Sequence, residues 1–202
     1  MKLRYSPTSP YVRKVMVVAI EVGLEGQIEI IPTDPWDSDS DLPADNPLGK
    51  VPTLITEDGK RLMDSSVICE YLDHLHDGPP LFPPAGEERW RALGWSVLGD
   101  GILDACQLRR VEGKFREKPM QSADWITRQE KTVERALAAL ERQVSGIGQA
   151  PLTIGHICVG CALGYLDLRF PQDDWRTGHP ALAAWFANFA ERPSMVATAP
   201  EN

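Results

Sequence analysis

The chain has no apolar run approaching the ~18 residues a membrane-spanning helix requires, and its first residues lack the apolar core of a signal peptide. Both absences point to the cytosol and away from a membrane partner. Basic residues are the minority charge, 21 against 29 acidic, for a net charge of −8. That balance argues against a surface built for nucleic acid or anionic lipid. There is no internal repeat, basic stripe or low-complexity segment. Cysteine is scarce: Cys69, Cys106, Cys158 and Cys161 each sit inside an apolar helical pattern, where a cytosolic chain keeps them reduced and packed. Cys158-Val-Gly-Cys161 has the spacing of a redox pair or half a zinc site, but no second pair or histidine cluster completes it. It also lies within a nearly all-apolar helix rather than at a helix mouth, so packing is its expected role and no metal is expected.

At 202 residues, 43% of them hydrophobic, the chain can bury the core of one large domain or two small ones. Met1 to Tyr5 reads as a strand. Val12, Val15, Met16, Ala19 and Ile20 follow helical spacing, predicting a helix over 10–24. Pro10 falls at its first turn, where the missing N–H costs nothing. Ser9 therefore stands at the mouth of that helix, where unpaired N–H groups and the positive dipole end favour an anion. A strand, a sharp turn and a helix N-terminus bearing a small hydroxyl residue make a place to hold a thiolate.

A second strand is expected over Gln27–Ile31. The acidic loop 32–46 follows, with Asp34, Asp37, Asp39, Asp41 and Asp45; it reads either as a solvated connection or as a mobile lid with Trp36 as its apolar contact. Asp58-Gly59 is a hairpin signal between strands over Thr53–Thr56 and Lys60–Met63. The next helix has Asp64 and Ser65 as cap candidates and Val67, Ile68, Tyr71, Leu72 and Leu75 as its expected inner face.

Three stretches, Ser-Pro-Tyr-Val-Arg-Lys at 9–14, Asn-Pro-Leu-Gly-Lys-Val-Pro at 46–52 and Asp-Ser-Ser-Val-Ile at 64–68, together resemble the glutathione S-transferases, in particular bacterial members with a Ser/Cys-Pro-Phe/Tyr active-site turn. Their order and spacing, followed by a helical half of matching length, carry the resemblance over essentially the whole chain. It implies an α/β thioredoxin-like N-terminal domain with a βαβαββα-like order, and an all-α helical C-terminal domain. It further implies a cis Val51-Pro52 bond that frees the Val51 backbone to pair with the cysteinyl backbone of glutathione as an added strand does. By the same resemblance Ser65 receives the γ-glutamyl carboxylate, Asp64 its ammonium, and Lys50 the glycyl carboxylate, with Tyr11 also in the glutathione-binding set. Family members more often carry Glu at position 64.

Ser9 is the expected catalytic residue, its O–H donating to the bound sulfur. A free thiol has a pKa of about 8.5, and bringing it near ~6.5 requires ~2.7 kcal/mol of preference for the thiolate. A hydrogen bond to a charged group supplies ~1.5–3 kcal/mol and a helix N-terminus ~0.3–1. Thr8 and Tyr5 are the alternatives for this hydroxyl. Cysteine at position 9 would form a mixed disulfide with glutathione; serine cannot, which favours attack on an electrophile.

Asp77 to Gly86 is proline-rich and reads as a linker, giving domains at 1–77 and 87–202 with 78–86 between them. Helices are expected over 87–113, 122–145, 153–168 and 179–191, the third buried on nearly all sides. Thr153-Ile-Gly-His156 opens that helix. The family pattern there is a capping box ending in Asp, so His156 is expected to cost ~1 kcal/mol relative to Asp. Asp100 and Asp104 lie one turn apart on the first long helix, which in this family lines the electrophile pocket and the dimer cleft. Trp90 and Trp95 are candidates for a subunit contact. The expected function is a homodimeric glutathione transferase that takes glutathione as co-substrate and a small electrophile as partner. A non-catalytic interaction module and a glutathione-dependent lyase, isomerase or dehalogenase are the alternatives.

Overall fold

The structure, a computed structural model, describes residues 1–200. The chain divides into two compact units, Met1–Pro84 joined by the segment from Arg192 onward, and Ala85–Glu191.

The first unit is built on β1 (Lys2–Tyr5), α1 (Pro10–Glu21), β2 (Glu29–Pro32), a one-turn α2 (Leu42–Asp45), β3 (Thr53–Ile55), β4 (Arg61–Met63) and α3 (Ser65–Asp73). The strands form one sheet in the order β2-β1-β3-β4. β1 runs parallel to β2 and antiparallel to β3, and β3 is antiparallel to β4. A parallel pair requires a crossover, which α1 supplies, whereas β3 and β4 need only the turn at Asp58-Gly59, where Gly59 takes φ +80°.

Leu3 and Leu54 pair across β1 and β3 and are both fully buried. Two helix faces differ from the sequence expectation. In α1, Met16 and Ile20 are only half-buried while Lys14, Val17 and Val18 are buried, because the helix packs against both α3 and the C-terminal segment. In α3 the buried face is Ser65, Ile68, Cys69 and Leu72; Val67 is exposed, and so is Leu75, which lies past the end of the helix. A nine-residue helix with one covered face needs only one stripe.

The end of the acidic loop is anchored. Arg4, buried in β1, donates to Asp45 through Nε (2.9 Å) and to Asp41 through Nη1 (2.7 Å). Arg61 Nε reaches the other Asp45 oxygen at 3.0 Å. The Arg4 hydrogen bonds hold the Asp45 carboxyl below the usual carboxylate range against the opposing effect of burial. These ties fasten the end of the loop, at Asp41 and Asp45, to β1 and β4.

The last helix, α9 (Pro193–Ala197), belongs to the first unit although the sequence places it in the helical domain. Arg192 makes two bonds to Glu21 (3.0 and 2.8 Å), Ser194 Oγ donates to Glu21, and Arg13 donates to the Met195 carbonyl (3.0 Å). Burial pushes the Glu21 carboxyl up, but the Arg192 and Ser194 bonds outweigh it and hold it below its ordinary value. The stabilisation is therefore complete above the ordinary glutamate range and lost as pH falls from that range through the depressed folded value. Glu21→Gln is expected to loosen the segment by ~1 kcal/mol at neutral pH after solvent screening. The same loosening should appear in wild type near pH 4 or below, about the carboxylate range, read as faster amide exchange of residues 194–198; equal exchange in both proteins at neutral pH refutes it.

The second unit comprises α4 (Glu87–Phe115), α5 (Ala123–Gln149), α6 (Ile154–Arg169), a one-turn α7 (Trp175–Gly178) and α8 (Pro180–Ala190). α6 is its buried centre, with Ile157, Val159, Leu163 and both Cys158 and Cys161 at zero exposure. α4 approaches it closely: a Cβ at Gly99 would lie 2.7 Å from the Cys158 backbone, and one at Gly155 2.6 Å from the Ala92 carbonyl. All four cysteines are buried free thiols, and burial pushes Cys106 up to about 12, far from a reactive thiolate. Among the described residues no group of three or more His, Cys, Asp or Glu side chains is placed to hold a metal ion, and no helix is long and apolar enough to cross a membrane.

Candidate functional site

The sheet register brings the three sequence motifs to one place. Arg4 pairs with Thr53 and Thr53 with Met63. The turn after Tyr5, the segment before Thr53 and the residues after Met63 therefore leave the sheet at the same end. Adjacent strands lie ~4.8 Å apart, so segments from three consecutive strands fit within the length of a tripeptide.

On β1 the exit is a turn closed by Ser9 N–H to the Ser6 carbonyl (3.1 Å). Ser9 then caps α1 with extended backbone (φ −79°, ψ 119°), its Oγ accepting the Val12 N–H at 3.3 Å. Accepting uses an oxygen lone pair and leaves the O–H proton available to donate. Ser9 is half-buried, as are Thr8 within the turn, Tyr5 at the strand end and Tyr11 in the first helical turn. Only Ser9 occupies the cap position, so of the three candidate hydroxyls its oxygen is the one at the helix mouth.

Before β3, Val51-Pro52 is a cis peptide bond. The Val51 N–H and C=O make no backbone hydrogen bond among the described residues, and Val51 is only half-buried. A free donor and acceptor on one residue just before β3 present an edge to which an added strand can pair. The Lys50 side chain is exposed in the preceding turn.

After β4, Asp64 takes φ +73° and ψ 129°, a region that costs a non-glycine residue ~1–3 kcal/mol. Its carboxylate Oδ1 accepts the Ser66 N–H at 2.8 Å, capping α3. Asp64 is exposed, so the carboxylate can meet a cation from solvent, while Ser65 is buried at the first helical position. Such backbone strain gathers where a ligand is clamped, and no sequence pattern discloses it. Lys14 also escapes sequence reasoning as a site element: it is fully buried, and its Nζ lies 3.4 Å from Ser66 Oγ, bracing α1 against the start of α3. A lysine inside the apolar face of a helix was the available signal.

A four-stranded mixed sheet with this helix order, a cis proline before β3 and a following helical unit define a thioredoxin-like domain coupled to an all-helical one. The glutathione S-transferase N-terminal domain model matches residues 8–75 and the C-terminal domain model residues 123–188. An uncharacterized GST-like protein of Escherichia coli, YibF, is 35% identical over 202 residues, covering 99% of this chain and 98% of its own. A glutathione transferase family member from Pseudomonas fluorescens, solved with bound glutathione, is 43% identical with a TM-score of 0.95, covering 100% of this chain and 99% of its own. A glutathione S-transferase from Methylobacillus flagellatus with glutathione bound is 37% identical with a TM-score of 0.93, covering 99% of both chains. The chain belongs to the bacterial glutathione S-transferase family.

Proposed function

We propose that this protein binds glutathione at the shared sheet end and transfers its thiolate to a small electrophile in the cytosol. The observation that carries the reading is the convergence of the Ser9 cap, the unpaired Val51 backbone before Pro52, and Asp64-Ser65 on one end of the sheet. Val51 pairs with the cysteinyl backbone of the tripeptide. Ser65 and the first N–H groups of α3 hold the γ-glutamyl carboxylate, Asp64 takes its ammonium, Lys50 meets the glycyl carboxylate and Tyr11 flanks the ligand. The thiol then lies against Ser9, whose O–H donates to sulfur and favours the thiolate. The sulfur lone pair forms a new S–C bond as a leaving group departs, or as a π bond shifts its electrons to the neighbouring atom for protonation. The relatives solved with glutathione support the ligand.

Calorimetric titration with glutathione, alongside ultraviolet detection of bound thiolate, tests this. Binding with a thiolate band at neutral pH is expected. A chain that binds no glutathione overturns the reading and leaves the fold as an interaction module.

We further propose a homodimer through α4. Trp90, Val97, Leu108, Val111 and Phe115 recur at helical spacing on one face and are all exposed, Val97 by 70%. Trp95, the other expected contact, is instead buried, with its Nε1 donating to Gln143 at 3.0 Å. Sedimentation should show a dimer that Trp90→Glu with Val97→Glu dissociates; a wild-type monomer at micromolar concentration refutes it.

A further inference from the structure

The carbonyl of Lys50 and the N–H of Val51 belong to one peptide group, and two buried side chains hold the carbonyl. Asn46 Nδ2 donates to it at 2.9 Å and Thr53 Oγ1 donates to it at 2.9 Å. The second Asn46 amide proton goes to Thr53 Oγ1 at 3.0 Å, and Asn46 Oδ1 accepts the Leu48 N–H at 2.9 Å, which fixes the amide orientation. Both side chains are shut off from solvent, Asn46 at 1% and Thr53 at 0% exposure. Every donor and acceptor in the cluster is used: the Thr53 hydroxyl spends its single proton on the carbonyl and accepts from the amide.

The bond between Lys50 and Val51 is trans, since the cis bond is the following one. In a trans peptide the N–H points opposite the C=O. With the Lys50 carbonyl turned into the buried Asn46–Thr53 pair, the Val51 N–H is turned the other way, where it finds no backbone acceptor among the described residues. We infer that Asn46 and Thr53 are positioning residues for glutathione recognition: they lock the Lys50–Val51 peptide plane so that the Val51 N–H is aimed at the incoming backbone before ligand arrives. A locked donor loses no rotational freedom on binding, and that saving appears directly as affinity. Neither side chain touches the ligand, and neither acts on the sulfur.

This inference rests on the Val51 pairing proposed above. Its test is glutathione calorimetry on the full chain as wild type, Thr53→Val, Thr53→Ser and Asn46→Ala, at a temperature where circular dichroism shows each folded. Thr53→Val keeps the shape, removes both the donor to the Lys50 carbonyl and the acceptor of the second Asn46 amide proton, and is expected to weaken glutathione binding about tenfold. The glutathione that does bind should keep the wild-type thiolate band, because Ser9 is untouched. Thr53→Ser restores the hydroxyl and should restore the affinity. Combining Thr53→Val with Asn46→Ala should lose less than the product of the two single losses, since both act on one carbonyl. Undiminished affinity in folded Thr53→Val, even with a lowered melting temperature, overturns the positioning role alone. Wild type that binds no glutathione overturns the functional reading and this one with it.

Discussion

Ser9→Ala is expected to bind glutathione but to lose its thiolate at neutral pH, raising the bound thiol pKa by about 1–2 units and slowing conjugation by ~10- to 100-fold. That range follows from removing one hydrogen bond to a charged sulfur, worth ~1.5–3 kcal/mol. The same substitution removes the acceptor of the Val12 N–H, an N-cap loss of ~1 kcal/mol, so activity and stability must be read separately. Ser9→Asp separates them. Its carboxylate still accepts the cap N–H and suits the positive helix end, but it cannot donate and it repels the thiolate. A stable, thiolate-free Ser9→Asp protein beside a destabilised, thiolate-free Ser9→Ala protein supports the assignment. A full thiolate band in Ser9→Ala would transfer the role to Tyr5 or Thr8, which Tyr5→Phe and Thr8→Val would then distinguish.

His156→Ala is expected to cost ~3 kcal/mol of unfolding free energy, the sum of two buried polar groups left without partners at ~1–3 kcal/mol each. The imidazole Nδ1 accepts the Thr153 N–H at 3.0 Å, completing the capping box of α6, while Nε2 lies 2.9 Å from the Ile147 carbonyl. A backbone N–H can only donate and a carbonyl can only accept, so the proton resides on Nε2. One ring thus satisfies an orphan donor at the start of α6 and an orphan carbonyl in the last turn of α5. The sequence pattern alone predicts that Asp would cap better; the structure reverses the sign, because a carboxylate has no proton for Ile147. His156→Asp should therefore lose ~1–2 kcal/mol rather than gain ~1. Urea unfolding of the two variants decides it, and an Asp variant more stable than wild type would refute the bridging role.

The two residues mark how far sequence carries. Ser9 was legible because its signal is local: Pro10 sets the helix start, and the residue before it must be the cap. The Asp58-Gly59 hairpin and the apolar α6 were legible for the same reason, since a turn requiring positive φ and a helix hydrophobic on all sides each have one economical solution. His156 was legible as a cap residue but not as a bridge, because its second partner sits on another helix. The inner face of α3 was misread at Val67, as apolar spacing does not say how wide a face the neighbours will cover, and at Leu75, which falls past the helix end at Asp73.

By itself the sequence did not disclose the short helices α2, α7 and α9, but it determined the order of the strands and longer helices, the thioredoxin-like and helical halves, the position of Ser9 at the mouth of α1 and the family. Those follow from hydrophobic period, turn residues and caps, which act within a few positions along the chain. Only the tertiary structure decided that Arg4 ties down Asp41 and Asp45, that Glu21 holds the C-terminal segment, that Lys14 lies buried beside Ser66, and that Asn46 with Thr53 turns the Lys50 carbonyl inward. Most of these join residues far apart in the chain, and even the closest depends on how the segment before β3 meets the sheet. Their strength comes from removing paired groups from water together, a circumstance that exists only once the sheet register and helix packing have brought them into contact.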